Sequence, residues 1–113
     1  MRTRMIKRPL LAVLVTVALG AVSAVRDTPA LVDAHTAYYN EQFDRSLVQY
    51  EKLAAHGDAI AAERAGFMLL QGEAMYGKRV KRDVPKAQGL LLQAAKAGRP
   101  GAEFMLNMME RTE

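Results

Sequence analysis

The chain has 113 residues, a quarter of them charged, no cysteine, and a formal net charge of +4. This length is enough for one small domain, and the lack of cysteine excludes disulfides and thiol catalysis. The net charge comes from four basic residues ahead of position 10, because residues 25–113 hold twelve Lys and Arg against twelve Asp and Glu. The excess of basic residues is therefore no argument for nucleic-acid binding.

The amino-terminal segment predicts a secretory signal peptide over residues 1–24. Basic residues at positions 2–8 precede an uncharged run over 10–25, which is shorter than the ~20 apolar residues of a membrane-spanning helix. Val22 and Ala24 supply small residues at the −3 and −1 positions of a cleavage site. A retained membrane anchor is the alternative. We expect an exported protein, periplasmic or secreted, with no stable membrane span after cleavage.

The rest of the chain predicts one all-helical domain over residues 31–113, after a short linker at 25–30. Apolar residues recur at three- and four-residue steps, and no segment alternates as a half-buried strand does. The predicted helices cover 31–40, 43–57, 58–71 and 83–98, with a fifth beginning at 100 and one long loop at 72–82.

Cap residues and one internal glycine predict how these helices begin, end and pack. Gly57 suits the left-handed conformation that ends a helix, and Asp58 and Asp83 suit the N-cap position. Gly66 lies inside a helix, where glycine costs up to ~1 kcal/mol relative to alanine. We therefore expect a bulky side chain of another helix to pack against it, with an aromatic residue such as Tyr50 or a neighbour of Phe67 as the candidate.

The domain repeats itself at a spacing of 41 residues. The matched pairs are Ser46 with Ala87, Tyr50 with Leu91, Leu53 with Ala94, Ala54 with Ala95, Gly57 with Gly98, Ala61 with Ala102, Ala65 with Leu106, and Met68 with Met109. A fixed period of about 20 to 50 residues is typical of solenoids, in which each helical hairpin stacks on the next. The predicted fold is an α/α solenoid of about two and a half helical hairpins.

The order of these glycines and alanines resembles the Sel1-like repeat. The residues that carry the resemblance are Gly57-Asp58-Ala59, Ala61, Ala65-Gly66, Gly77, Val80, Asp83, Lys86-Ala87, Ala94-Ala95 and Gly98. Ahead of them, Ala34, Ala37, Phe43, Ser46, Tyr50 and Leu53 resemble the related tetratricopeptide repeat. The chain departs from the family pattern in three ways: a longer loop at 72–83, Ala65 and Asn107 in place of leucine and glycine, and no cysteine pair. The resemblance implies an α/α superhelix that acts as an adaptor or regulator by binding another protein, with no catalytic residues to carry over.

Residues for catalysis or metal binding are scarce. Ser46 takes the small-residue position of a buried helical stripe, and His35 and His56 belong to different helices without nearby ligands. Glu63 and Glu103 are the only loose candidates for an acid pair. We therefore predict no enzymatic activity, no metal and no cofactor.

Aromatic and methionine residues are the predicted contacts with a protein or peptide partner. Tyrosine is a frequent interface anchor and methionine adapts to varied partners. The candidates are Tyr38, Tyr39, Phe67, Phe104, Met105 and Met108, and Met68 is a further candidate either for a groove or for packing. The carboxyl-terminal helix carries three of them and is also the candidate contact for a homodimer.

A basic loop supports an alternative function. Lys78, Arg79, Lys81 and Arg82 cluster between two predicted helices and would let the domain bind anionic lipid or glycan. Nucleic acid is not expected as a partner, because no aromatic residues are interleaved with these charges.

Overall fold

The computed structural model describes residues 27–112, and this span is helical without a β-strand. Its six helices are α1 (Pro29–Tyr39), α2 (Phe43–Ala55), α3 (Ala59–Gln71), α4 (Glu73–Tyr76), α5 (Val84–Lys96) and α6 (Pro100–Arg111). The prediction of an all-α protein is thus confirmed. The predicted signal peptide over 1–24 lies outside the described residues. None of the described helices is both long and apolar enough to cross a membrane.

One element differs from the sequence prediction. The stretch 72–82, predicted as a loop, contains the single-turn helix α4, which begins directly after Gly72. Gly72 has φ of +59°, and a Cβ atom there would lie 2.6 Å from the backbone nitrogen of Arg82. Only glycine fits this close crossing of the chain. The segment is therefore folded back on itself between α3 and α5 rather than extended.

The long helices pack mainly on their neighbours along the chain. The packed pairs are α1 with α2, α2 with α3, α3 with α5, and α5 with α6. Ala61, Ala62 and Ala65 of α3 are fully buried, and such small side chains let helix backbones approach closely. Tyr50 and Leu91, from α2 and α5, are among the largest buried side chains and fill the two sides of this helix.

The close approach of α3 to α5 explains the glycine inside α3. A Cβ atom on Gly66 would lie 2.8 Å from Cδ2 of Leu91 and 3.4 Å from the carbonyl oxygen of Ala87. The prediction that a bulky side chain packs against Gly66 is confirmed. The suggested neighbour Tyr50 was wrong, because the side chain in contact belongs to Leu91 on α5.

The helix boundaries repeat at the 41-residue spacing seen in the sequence. α2 begins at Phe43 and α5 at Val84, and each has 13 residues. The turns that follow contain Gly57 with φ of +98° and Gly98 with φ of +93°. In both turns the next residue donates its backbone N–H to a carbonyl in the preceding helix: Asp58 to Leu53 at 3.1 Å, and Arg99 to Ala94 at 3.1 Å. The α2–α3 and α5–α6 hairpins thus share one turn geometry.

The amino termini of three helices are capped locally. The side chains of Thr28, Asp58 and Asp83 accept hydrogen bonds from backbone N–H groups in the first turns of α1, α3 and α5. The predicted caps Asp58 and Asp83 are therefore confirmed. These bonds satisfy donors that have no partner inside the helix.

The amino terminus of α6 is capped from another helix instead. Arg99 occupies its N-cap position and makes no side-chain capping bond. Glu63 of α3, which is 7% exposed, accepts the backbone N–H of Ala102 at 3.0 Å and the Arg99 guanidinium Nη2 at 2.8 Å. The carboxylate that the sequence offered as a loose acid candidate therefore joins α3 to α6.

Candidate partner-binding groove

A cleft of about 250 Å³ lies on one face of the helical row, and we call it the aromatic cleft. Its lining residues come from α1, α3, α4 and α6, and they are Tyr38, Arg64, Phe67, Met68, Gln71, Tyr76 and Met105. The sequence predicted three of them as partner contacts, namely Tyr38, Phe67 and Met105. The structure brings these three residues together from three different helices.

Tyr38 is the centre of an aromatic cluster that forms one wall of this cleft. Its ring lies 5.3 Å from that of Phe43 and 5.8 Å from that of Tyr76, both in edge-to-face orientation. Phe43 and Tyr76 also contact each other, with centroids 5.0 Å apart. Edge-to-face pairs add to the stability gained by burying the rings. The cluster therefore holds α1, α2 and α4 together beside the cleft.

The hydroxyl groups of Tyr38 and Tyr76 lie 3.0 Å apart and form a hydrogen bond. Burial, and secondly this bond, raises the pKa of Tyr76 above its ordinary value. The Tyr76 hydroxyl thus remains neutral at physiological pH. One O–H proton serves the mutual bond, so the other is available to a ligand in the cleft.

In the part of the chain that the structure describes, Arg64 is the one charged residue that lines the aromatic cleft. Its guanidinium carbon lies 5.6 Å from the centroid of the Tyr38 ring, within the range of a cation–π interaction. Among residues 27–112 no carboxylate forms an ion pair with it. Its charge favours the ionised forms of Tyr50 and Tyr76 and so opposes the effect of burial on each pKa. The cleft therefore carries a positive potential.

A second cleft of about 350 Å³, the methionine cleft, adjoins the first. It is lined by Leu70, Arg82, Val84, Met105, Met108, Met109 and Thr112. Met105 lines both clefts, so they lie side by side on α3 and α6, and together we call them the groove. Of the remaining predicted contacts, Met108 lies in this cleft, while Tyr39 and Phe104 are exposed and line neither cleft.

Two arginines of the basic loop have partners within the domain. Nη1 of Arg79 lies 3.3 Å from Oδ2 of Asp44, and Nε of Arg82 donates to the carbonyl oxygen of Leu70 at 2.9 Å. The Arg45 backbone N–H, with Arg79 adding to its effect, holds the pKa of Asp44 below its usual range. Lys78 and Lys81 form no ion pair with another described residue. Of the four predicted anion-binding residues, two are thus engaged within the domain.

The serine and histidines have structural contacts. The Ser46 hydroxyl is fully buried and donates to the carbonyl oxygen of Phe43 at 3.0 Å. Nδ1 of His56 bonds to the carbonyl oxygen of Lys52 at the end of α2, as expected for a residue that helps to end its helix. His35 bonds to the hydroxyl of Tyr50. Within residues 27–112, no three His, Asp or Glu side chains are placed to hold a metal ion.

Sequence reasoning missed three residues of the aromatic cleft: Arg64, Gln71 and Tyr76. Arg64, Phe67 and Gln71 follow one another at three- and four-residue steps, so helical spacing alone placed them on one face of α3. No such signal existed for Tyr76, because its segment was predicted as a loop.

Comparisons with known proteins add no relative to this picture. No family model matches the chain, and neither a curated protein nor a solved structure was found that matches it.

Proposed function

We propose that this chain is an exported α/α solenoid that acts as an adaptor or regulator by binding a segment of another protein in its groove. The observation that carries the proposal is the meeting of Tyr38, Phe67 and Met105 in one cleft. Clefts that combine apolar and aromatic side chains with a few convergent polar groups are typical ligand sites. The residue inventory offers no comparable arrangement for catalysis.

The repeated hairpin supports the solenoid part of the proposal. The α2–α3 and α5–α6 turns have the same glycine conformation and the same hydrogen bonds at a spacing of 41 residues. The order of helix packing also follows the order of the chain. Both features are expected when a helical hairpin stacks on the next one. α1 would then be the second helix of an incomplete first hairpin.

The shape and chemistry of the groove support binding of a protein segment. Two clefts of about 250 and 350 Å³ meet at Met105, which gives room for several consecutive side chains. Aromatic anchors at one end and flexible methionines at the other suit a partner with large apolar side chains. The occupant would lie across α1, α3 and α6.

The proposal of export rests on the amino-terminal sequence. Basic residues followed by an apolar run and by Val22 and Ala24 have the pattern of a cleavable signal peptide. Amino-terminal sequencing of the protein recovered from the cell envelope tests this directly. A first residue at position 25 is the expected result, and an intact leader would support the membrane anchor.

The anion-binding alternative has less support. Arg79 is paired with Asp44, and the two residues line a polar cleft together with Glu41. Carboxylates beside the loop weaken its attraction for anionic lipid or glycan. We therefore favour the groove over the loop as the site of partner binding.

Site-specific photo-crosslinking in the producing cell tests the proposed function. A photoreactive phenylalanine derivative replaces Tyr39 beside the aromatic cleft, or Met108 in the methionine cleft. Matched controls carry it on α2 and α5, at Val48 and at Leu92. Tyr39 and Val48 are 70% and 63% exposed, and Met108 and Leu92 are 41% and 45% exposed. Exposure therefore cannot account for a difference between the members of a pair.

Groove binding predicts one crosslinked protein species at Tyr39 and Met108 and none at the two control positions. Equal crosslinking at all four positions would contradict a specific groove. Crosslinks at Val48 and Leu92 alone would assign partner binding to the exposed faces of α2 and α5 instead of the groove.

A further inference from the structure

The aromatic cleft offers hydrogen-bond donors but no carboxylate. Its polar lining groups are the Arg64 guanidinium, the Gln71 amide and the hydroxyls of Tyr38 and Tyr76. The guanidinium only donates, and the tyrosine pair retains one O–H proton that is not used in the mutual bond. Because the guanidinium is the one charged group among these, the cleft favours a ligand that supplies acceptors and a negative charge.

Among the described residues, Arg64 is the one basic residue that is partly buried and has no carboxylate partner; the other unpaired basic residues, such as Arg45, Lys78 and Lys81, are exposed. Arg79 pairs with Asp44, Lys86 with Glu51, and Arg99 with Glu63. Arg64 is half-buried and held over the Tyr38 ring instead. A partly desolvated guanidinium gains more from an incoming carboxylate than an exposed one does, and it can bind both carboxylate oxygens.

The surroundings of Arg64 define what must lie beside the anionic group. Phe67 lies one turn further along α3, and Met105 faces the same cleft from α6. Beyond Met105 lies the methionine cleft. Arg82 lines the methionine cleft as well, but it is exposed and its Nε donates to the carbonyl oxygen of Leu70. Arg64 is thus the half-buried positive charge of the groove, and it lies in the aromatic cleft.

We propose that the groove recognises a protein segment in which a carboxylate stands next to a large apolar side chain. The carboxylate binds the Arg64 guanidinium, with Gln71 or a tyrosine hydroxyl as a further donor, and the apolar side chain packs on Phe67 and Met105. This inference rests on the proposed function, because it names the chemistry of the segment that the groove binds. The carboxylate is the side chain of an Asp or Glu within the segment, and binding through a carboxyl terminus instead is an outcome that the test below distinguishes.

Selection from two displayed peptide libraries tests the inference with the purified full chain. Random 12-residue peptides are displayed internally, without a free end, in the first library and with a free carboxyl terminus in the second. Each library is selected against the unaltered protein, Arg64→Gln, and the control Arg45→Gln. Arg45 is an exposed arginine on α2 that forms no ion pair with another described residue.

The unaltered protein and Arg45→Gln should enrich peptides with a carboxylate beside an apolar residue. Enrichment of Asp or Glu in the internal library identifies a side chain as the source, and success of the second library alone identifies the terminus. With Arg64→Gln the preference for a carboxylate should disappear while the apolar preference remains. Binding of a selected peptide should weaken by about tenfold or more.

Two outcomes would overturn the inference in distinguishable ways. Apolar peptides without any preference for a carboxylate would refute the role of Arg64 but leave groove binding intact. No enrichment from either library would refute the proposed function itself. If Arg64→Gln does not fold, replacing Glu by Gln in a selected peptide, or amidating its terminus, decides the point on the unaltered protein. Unchanged affinity after that replacement would reject the inference.

Discussion

The α2–α3 and α5–α6 hairpins have the same turn, yet their second helices are stabilised by different contacts. α3 receives its cap from Asp58, the residue that precedes it, whereas α6 receives its cap from Glu63 on α3. A local cap forms whenever the helix forms. The cap of α6 requires that α3 and α6 are already packed together, so the second hairpin depends on the first.

The outer faces of the two second helices differ as well. Around Gly66, α3 buries Ala62 and Leu69 on the face that meets α5. At the corresponding positions α6 has Glu103, Asn107 and Glu110, all of which are exposed. In repeat proteins a polar outer face is typical of a unit that caps the row. The same turn geometry thus precedes one helix whose face packs against α5 and one whose matched face is exposed to solvent.

The largest expected effect on stability concerns the contact of Gly66 in α3 with Leu91 in α5. The matched residue of α6, Asn107, is exposed. Leu91→Ala should lower the free energy of unfolding by about 3 kcal/mol, because it leaves a cavity against Gly66. In that variant Gly66→Ala should stabilise the protein by about 1 kcal/mol through helix propensity. In the unaltered protein Gly66→Ala should stabilise by less than this or should destabilise, because the new Cβ would lie 2.8 Å from the Leu91 side chain. Urea unfolding of the four proteins measures this coupling. An equal effect of Gly66→Ala in both backgrounds would be evidence against the close contact.

The two caps provide the second test. Glu63→Ala should cost about 2 to 3 kcal/mol, because it leaves the N–H of Ala102 and the Arg99 guanidinium without their acceptor. Asp58→Ala should cost about 1 kcal/mol, as is usual for a local cap. Glu63→Gln retains an acceptor for Ala102 without the charge and should lie between them. Similar losses for Glu63→Ala and Asp58→Ala would remove the distinction between the two hairpins.

Alkaline pH should destabilise the first hairpin in particular. Burial raises the pKa of Tyr50 to about 12 from an ordinary value of 10.0, and its counterpart Leu91 does not ionise. Because the folded state holds the proton more tightly, this stability is complete below pH 10 and is lost as the pH rises toward 12. The loss should amount to about 1 to 2 kcal/mol. Tyr76 acts in the same direction, since its pKa is also raised.

Unfolding midpoints measured across this pH range, with Tyr50→Phe as the control, check the prediction. The control should begin less stable by about 1 kcal/mol, because it loses the bond to His35. It should then lose less stability between pH 10 and 12 than the unaltered protein does. Parallel curves would mean that Tyr50 does not contribute.

Local signals in the sequence predicted the helices well and their contacts less well. Asp58, Asp83, Gly57 and Gly98 mark helix ends through nearby backbone chemistry, which the residue type alone indicates. The partner of Gly66 depends on how α3 and α5 cross, so the sequence indicated a contact but not Leu91. Tyr76 lines the aromatic cleft because residues 72–82 fold back beside α3, and this depends on the close approach of Gly72 to the backbone of Arg82. Nothing in the sequence indicated that approach. Arg64 was readable from helical spacing, but its lack of a carboxylate partner is a property of the packed structure.

The smallest effect on stability is expected on the exposed face of α6 that carries Glu103, Asn107 and Glu110. Substitutions there should instead change how the protein associates. The triple variant Glu103→Ala, Asn107→Gly and Glu110→Leu gives this helix the residues of α3 at the matched positions. We expect a shift in stability of no more than about 1 kcal/mol, because these side chains are exposed, together with association of the folded protein through the new apolar face. Light scattering over a concentration series measures it.

A control for this variant, Glu103→Gln with Glu110→Gln, removes the same charges without adding apolar surface. Its mass should equal that of the unaltered protein at every concentration. The homodimer predicted through the carboxyl-terminal helix would use Phe104 and Met108 rather than this polar face, so it should survive both sets of changes. If the control variant dissociated such a dimer, Glu103 and Glu110 would belong to the dimer interface. This face of α6 would then be a contact between two copies of the chain rather than a face exposed to solvent.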